Sequence, residues 1–319
     1  MELNIWKGDW GLPSIDTACL EALAYAKFSG APLIVNEVRR PWFATLPVMR
    51  HGPSTRITKF EDMVSHFRKQ NYSADIQLTA QQSSDVRAYT AMLRQKLKPA
   101  LLYLWWVDAK NYVELTRPWY ARALAFPLNY VLPGQMQRDA TAALQCKLEL
   151  LDLEGKQAET ALLKEAQECL TTLSQRLGKD TFFFGKRPTS LDAVVFAHLA
   201  PLLKAPFPNA ALQNHLKACE NLAAFVGRIL QQYFPPASAD SEKGDGSGGG
   251  SPGSSDTDFN FSWLNTTLSV AFAAGAMLIY AVTSGLIQAS RARRTLTARR
   301  RYSQNSFQSL WKTWLWSID

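Results

Sequence analysis

FFFGKRPTSLDAVVF, residues 182–196, contains the strongest fold signal in this 319-residue chain. Thr189 and Asp192 have the spacing of a helix capping box. In such a box the N-cap hydroxyl accepts the N–H of the third helical residue, whose side chain accepts an N–H in return. The apolar run after Asp192 predicts a buried helix that begins at residue 190. We therefore expect structural roles for Thr189 and Asp192 and no catalytic role for either.

The first forty residues alternate between strand and helix signals. Leu3–Trp6 and Leu33–Val38 are short apolar segments typical of strands. Between them, Ser14 or Asp16 can cap a helix that ends at Gly30. This strand-helix-strand order predicts a parallel pair of strands joined by a right-handed crossover.

Further extended pieces near Val48 and Ile57 precede a helix over roughly residues 59–69. The resulting βαβ-ββα order is the thioredoxin-like arrangement, and we assign it to residues 1–72. Pro47 lies directly before the third extended piece, at the position where this arrangement has a cis-proline. Because that proline is a requirement of the fold, we expect Pro47 to be structural.

Helical periodicity fills residues 73–234, which we assign to a second, all-helical domain. The segments that show it are 75–104, parts of 108–124, 138–152, 157–177, 190–204 and 209–233. A thioredoxin-like half followed by an all-helical half resembles the glutathione transferases, whose core also contains the capping box. The sequence therefore predicts a mixed α+β, mostly helical, glutathione-transferase-like fold.

Beyond this body, residues 235–258 contain no Ile, Leu, Val, Met or aromatic residue, which predicts a flexible linker. Residues 259–290 contain no charged residue. Their apolar centre, residues 266–287, would span about 33 Å as a helix, close to the hydrocarbon thickness of about 30 Å. We predict a single transmembrane helix over residues 263–288.

The membrane segment also carries small residues at a spacing that lets another helix approach. These form two pairs, Ala271 with Gly275 and Ala281 with Gly285. The tail, residues 289–319, is basic and rich in Trp. Its apolar residues from Phe307 to Ile318 share one helical face, so it is either an interfacial helix on the far side of the membrane or a disordered tail.

The N-terminus has acidic residues and no long apolar run, so it resembles neither a secretory signal nor a mitochondrial presequence. The anchor would then insert after translation and leave the body in the cytosol, although the basic flank alone favours the opposite orientation. The modest hydrophobicity and the Arg-rich flank resemble tail anchors of the mitochondrial outer membrane. The four cysteines form no CxxC pair, which argues against zinc and disulfides.

The chemistry of a glutathione transferase is not supported by the loop after the first strand. Leu12 stands before Pro13, where an active member has a nucleophile, and Ser14 is better explained as a helix cap. The residues after Ile57 lack the pair that would hold the glutathione carboxylate. The four histidines are isolated, which indicates no metal site. We expect no enzymatic activity, cofactor or metal.

The block from Lys110 to Arg138 combines aromatic residues, prolines and arginines. Core packing explains this composition, but the same enrichment is typical of protein interfaces. The candidate interface residues are Trp119, Tyr120, Arg122, Tyr130 and Arg138. Nucleic-acid binding is disfavoured because basic and acidic residues are interleaved.

Four stretches of the body resemble the metaxin family. They are the Lys110–Arg138 block, GLPSID at 11–16, YAKFSGAPL at 25–33, and ECLTTLSQRLG at 168–178 with its following FFFG. The tail anchor makes the chain most similar to the first, membrane-anchored metaxin, although the Trp-rich end and a shortened stretch at 41–47 depart from that pattern.

This resemblance implies a non-enzymatic subunit of the sorting and assembly machinery of the mitochondrial outer membrane, which inserts β-barrel precursors. The implied partners are a second metaxin and the β-barrel insertase, with links to cristae-organising and motor-adaptor proteins. Two alternatives stay open, namely a membrane-tethered glutathione transferase and an adaptor for mitochondrial tethering or transport.

Overall fold

A computed structural model of the chain describes residues 1–38, 46–52, 55–126, 128–150 and 155–235. All of them belong to the first of two units, Met1–Lys243. The predicted transmembrane helix, its small-residue pairs Ala271, Gly275, Ala281 and Gly285, the Trp-rich tail and all but the first residue of the linker lie outside the described residues. Among the helices that are described, none is long and apolar enough to cross a bilayer.

The N-terminal half is a four-stranded sheet in the order β2-β1-β3-β4. The strands are β1 (Glu2–Ile5), β2 (Ile34–Glu37), β3 (Val48–His51) and β4 (Thr55–Ile57). β1 pairs in parallel with β2 and antiparallel with β3, and β3 pairs antiparallel with β4. This topology confirms the predicted βαβ-ββα order, and the peptide bond between Leu46 and Pro47 is cis.

Helix α1 (Thr17–Ser29) connects the two parallel strands. Its N-cap is Asp16, whose carboxylate accepts the Cys19 N–H at 2.9 Å, so of the two predicted caps Asp16 is correct and Ser14 is not. The helix ends at Gly30, which adopts a left-handed conformation with φ of 71° that favours glycine. Helix α2 (Phe60–Lys69) follows β4.

The helical half contains nine further helices in the described residues. They are α3 (Ala80–Met92), α4 (Lys98–Leu102), α5 (Ala109–Asn111), α6 (Arg117–Ala123), α7 (Leu128–Leu150), α8 (Gly155–Leu177), α9 (Ser190–Lys204), α10 (Ala211–Ala218) and α11 (Glu220–Tyr233). Wider π-helical turns at Leu93–Leu97, Tyr103–Val107 and Tyr112–Thr116 join α3 through α6.

Three predicted helix boundaries differ from those in the structure. α3 begins at residue 80 because Thr79 and Gln82 form a capping box there. α7 begins at residue 128, ten residues before the predicted start, with Pro133 inside it. The segment 209–233 is two helices, divided at Cys219, whose ψ of 76° is not helical.

The core of the body centres on α9, in which every residue from Ser190 to Leu202 is buried. Such a helix, apolar on all sides, requires neighbours all around it. α1, from the N-terminal half, and α11, from the helical half itself, both pack against it. Asp192 accepts hydrogen bonds from the Thr189 N–H, the Thr189 hydroxyl and the Phe183 N–H, at 2.8, 2.7 and 3.0 Å. The capping box thus fixes the N-terminus of the central helix.

Candidate functional site

The loop between β1 and α1 is the place where a glutathione transferase would activate its thiol. Leu12 and Ser14 are both buried here. Because Ser14 is buried, its hydroxyl lies inside the protein and not at a surface where substrate could reach it. This hydroxyl accepts the Asp16 N–H at 3.4 Å. A side chain at Gly8 would collide with the Leu12 carbonyl, so the loop closes tightly on itself. The geometry offers no serine nucleophile at this loop.

Cys19 is the thiol closest in sequence to this loop, and it too is buried. Burial raises its pKa well above the ordinary value, and the nearby Asp16 charge raises it further. A reactive cysteine requires the opposite, a lowered pKa and access to solvent. Cys19 is therefore a core residue with an inert thiol.

Tryptophan rings fill the space beside the loop. Trp10 stacks on Trp105 with 6.1 Å between centroids and lies 6.3 Å from Trp119. The Trp119 indole N–H donates to Asp9 at 2.7 Å, and Trp6 meets Tyr120 edge to face at 5.4 Å. These contacts join the sheet to the helical half by aromatic packing.

The five residues of the predicted interface do not form one surface. Trp119 and Tyr120 are buried and belong to the core, which is the other explanation that the sequence left open for this block. Their packing against the β1–α1 loop is the physical reason. Arg122, Tyr130 and Arg138 are exposed, and the Arg122 Nε–H donates to the Pro118 carbonyl at 3.3 Å.

An exposed aromatic patch, consisting of Phe126, Tyr130 and Val131, lies at the start of α7. The exposed fractions of these side chains are 75%, 75% and 54%. The two rings contact each other edge to face at 6.2 Å between centroids. Arg138 lies seven residues after Val131, two turns along the same face of the helix. Tyr130 is one of the candidate interface residues predicted from the sequence, whereas Phe126 and Val131 are additions that only their exposure in the structure identifies.

Two histidines that the sequence analysis treated as isolated are in contact. The Nδ1 of His51, at the end of β3, lies 2.9 Å from the Nε2 of His66 in α2, and the rings are nearly perpendicular. In the part of the chain that the structure describes, no group of three or more His, Cys, Asp or Glu side chains could hold a metal ion. The contact between the two rings connects α2 to β3 of the sheet.

His198 is the third histidine of interest, on the buried helix α9. Its Nδ1 lies 2.8 Å from the Val194 carbonyl and 3.7 Å from the Glu21 carboxylate. Burial lowers the pKa of His198 to about 4, so the ring is neutral near pH 7. Burial also raises the pKa of Glu21 to about 7, against the lowering effect of the Arg94 and Lys98 charges. This is the satisfied core histidine that the apolar helix predicts.

Comparisons with known proteins decide the family. Metaxin-1 of Sus scrofa is 44% identical over 297 residues, which cover 92% of this chain and 92% of that protein. This chain belongs to the metaxin family. Metaxin-1 of Mus musculus is 48% identical over 239 residues, covering 74% of the chain and 75% of that protein. Metaxin-3 of Danio rerio is 46% identical over 249 residues, covering 75% and 78%. The resemblance to metaxins, metaxin-1 in particular, is confirmed.

Two sequence families also match this metaxin. Tom37, described as an outer mitochondrial membrane transport complex protein, matches residues 19–137. The C-terminal domain of glutathione S-transferase matches residues 166–229. A glutathione S-transferase of Ceriporiopsis subvermispora superimposes with a TM-score of 0.48 at 11% identity, over 72% of this chain and 96% of that one. The transferase-like fold rests on the small N-terminal sheet, the helical half and the second family match.

Proposed function

We propose that this metaxin is a non-enzymatic subunit of the protein-import machinery of the mitochondrial outer membrane, which acts by binding partner subunits. The family membership and the match to the outer-membrane transport family support the import role. The exposed aromatic patch carries the binding role, because two large rings exposed at 75% and in mutual contact are costly to leave in water. Exposed apolar clusters of this kind mark interaction sites, and Tyr is enriched among interface hot spots.

The β1–α1 loop argues for a scaffold rather than a thiol transferase. Ser14 is inside the protein, the pKa of Cys19 is raised, and tryptophan rings pack against the loop. A membrane-tethered transferase would still bind a glutathione column and turn over a chromogenic thiol acceptor. We expect the full chain to do neither, and retention with measurable turnover would establish the rival function.

The finer assignment is to the sorting and assembly machinery, which inserts β-barrel precursors. Its proposed partners are a second metaxin and the β-barrel insertase. The charge-free sequence of residues 263–288 supports a single C-terminal anchor that leaves the body in the cytosol, with the small-residue pairs available for helix packing. An adaptor for cristae organisation or motor attachment is the second candidate, and only the family resemblance supports it.

Membrane assembly of an imported porin distinguishes these roles. Depletion of the protein should slow the appearance of folded porin in the outer membrane, and re-expression of the full chain should restore it. A variant with Phe126→Ser and Tyr130→Ser should fail to restore it, while Ile76→Ser should succeed, because Ile76 is exposed at 77% and lies outside the patch. Normal porin assembly after depletion would favour the adaptor.

A further inference from the structure

One face of the sheet carries a row of side chains that crosses all four strands. Ile34 of β2 is paired with Glu2 of β1, Glu2 with Arg50 of β3, and Arg50 with Arg56 of β4. Residues directly paired in a sheet point to the same face. We call these four residues the cross-strand row.

The alternate row shows which face this is. Leu3, which follows Glu2, and its pairing partner Met49, which precedes Arg50, are buried in the core with α1 and α2. Because successive side chains in a strand point to opposite faces, the cross-strand row must lie on the other side of the sheet. All four of its residues are exposed, Ile34 at 61%.

The row also lines a concavity of about 540 Å³. Met1 and the β3–β4 hairpin residues Gly52 and Thr55 complete the lining. The surface is thus a shallow groove across the strands, with an exposed aliphatic side chain at the β2 end and two guanidinium groups at the β3–β4 end.

The charges of the groove are unbalanced. Arg50 and Arg56 face each other directly across an antiparallel pair, an arrangement of like charges that destabilises a sheet. Glu2 is the acidic residue of the lining, and it is paired across β1–β3 with Arg50 alone. An anionic group placed between the two guanidinium groups would relieve the repulsion between them and form charge-assisted hydrogen bonds.

We propose that the cross-strand row is a docking groove for an acidic segment of a partner protein, one that places a carboxylate at Arg50 and Arg56 and an apolar side chain at Ile34. A lipid bilayer is a poorer fit because the surface is concave. A nucleic acid is a poorer fit because the row contains only two basic residues, together with an acid and an aliphatic side chain. The groove shares no residue with the aromatic patch and does not depend on the import role.

Fluorescence anisotropy of the full chain in detergent tests this proposal. The probe is a fluorescein-labelled peptide of sequence Ser-Glu-Ser-Glu-Ser-Leu-Ser, so that an extended strand presents both carboxylates and the leucine on one face. We expect saturable binding that weakens as ionic strength rises. The double variant Arg50→Gln, Arg56→Gln should weaken binding at least tenfold. Glu2→Gln should strengthen it severalfold, because it removes the competing carboxylate.

Arg87→Gln is the matched control, since Arg87 is also exposed but lies in α3, away from the sheet. It should leave peptide affinity within twofold of the wild-type value. Equal thermal melting curves for all variants establish that each is folded. Unchanged binding by the double variant, or an equal loss with Arg87→Gln, would overturn the proposal. Arginine-dependent binding of anionic vesicles or of an oligonucleotide, without peptide binding, would also overturn it in favour of that ligand.

Discussion

The indole N–H of Trp119 donates to the Asp9 carboxylate at 2.7 Å, across 110 positions of sequence. This bond ties α6, in the helical half, to the loop that follows β1. The Trp119 ring also contacts Trp10 and Tyr120, so one side chain is anchored at both its polar and its apolar parts. In this protein, the loop that would hold a nucleophile in a transferase instead connects the N-terminal sheet to the helical half.

Trp119→Phe should destabilise the fold without unfolding it. Phenylalanine keeps most of the aromatic packing but has no N–H for Asp9, and a hydrogen bond to a charged group contributes about 1.5–3 kcal/mol, less where the carboxylate is exposed. We expect a loss of about 1–2 kcal/mol in the free energy of unfolding by urea denaturation. Asp9→Asn keeps an acceptor oxygen and should cost less than half as much. A loss below about 0.5 kcal/mol for Trp119→Phe would show that the bond itself contributes little.

Asp192→Ala should be far more damaging, because its carboxylate accepts three hydrogen bonds at the start of the central helix. Removing it leaves the buried Phe183 and Thr189 N–H groups without an acceptor, and each such group costs about 1–3 kcal/mol. We expect a loss of at least 3 kcal/mol, measured by urea denaturation. Thr189→Ala removes only the hydroxyl and should cost about 1 kcal/mol. A smaller effect for Asp192→Ala than for Thr189→Ala would contradict the assigned role of the carboxylate.

Local signals made most of the fold predictable. The strand-helix-strand order, the Gly30 helix end and the Thr189–Asp192 box depend on neighbouring residues, and the structure has all of them. The sequence could not show which rings of the Lys110–Arg138 block are buried, because the residues around Trp119 and around Tyr130 are similar in composition. Whether a ring is buried depends on what another part of the chain places against it, and for Trp119 that is the β1–α1 loop.

The contact between His51 and His66 was missed for the same reason. The two residues are fifteen positions apart, and only the packing of α2 against β3 brings their ring nitrogens to 2.9 Å. Neither spacing nor composition signals such a pair. The cross-strand row likewise depends on strand register, which a sequence pattern fixes only where one face is buried.

The aromatic patch should be dispensable for stability and required for partner binding. Phe126 and Tyr130 are largely exposed, so replacing both with serine removes little buried area, and we expect a change below about 0.5 kcal/mol in the free energy of unfolding. Affinity capture from mild detergent should recover the partner subunits with the wild-type chain and lose them with this variant. Ile76→Ser, at a similarly exposed site, is the control for loss of an exposed apolar side chain. Recovery of the same partners by the Phe126, Tyr130 variant would remove the patch from the interface.

Glu21 makes the stability of the body depend on pH. Burial raises its pKa from 4.5 to about 7, so between these values the folded protein holds a proton that the unfolded chain has lost. The unfolded state binds fewer protons in this window, and stability therefore falls as the pH rises through it. Glu21→Gln has a neutral side chain of the same shape that does not titrate. Relative to this variant, the wild-type protein should lose roughly 3 kcal/mol between pH 4.5 and 7, since one pKa unit corresponds to about 1.4 kcal/mol.

Urea denaturation of both proteins across this pH range measures the difference. Asp192, whose pKa burial raises to about 6, acts in the same direction as Glu21. His198 acts in the opposite direction, because its lowered pKa of about 4 makes its contribution decline as the pH falls below 6.5. The effect of Asp192 largely cancels in the comparison, whereas His198 contacts Glu21, so the difference between the two proteins reports on these two side chains together. Parallel stability curves for wild type and Glu21→Gln would show that Glu21 titrates near its ordinary pKa. The charged carboxylate would then be stabilised where it lies, between α1 and α9.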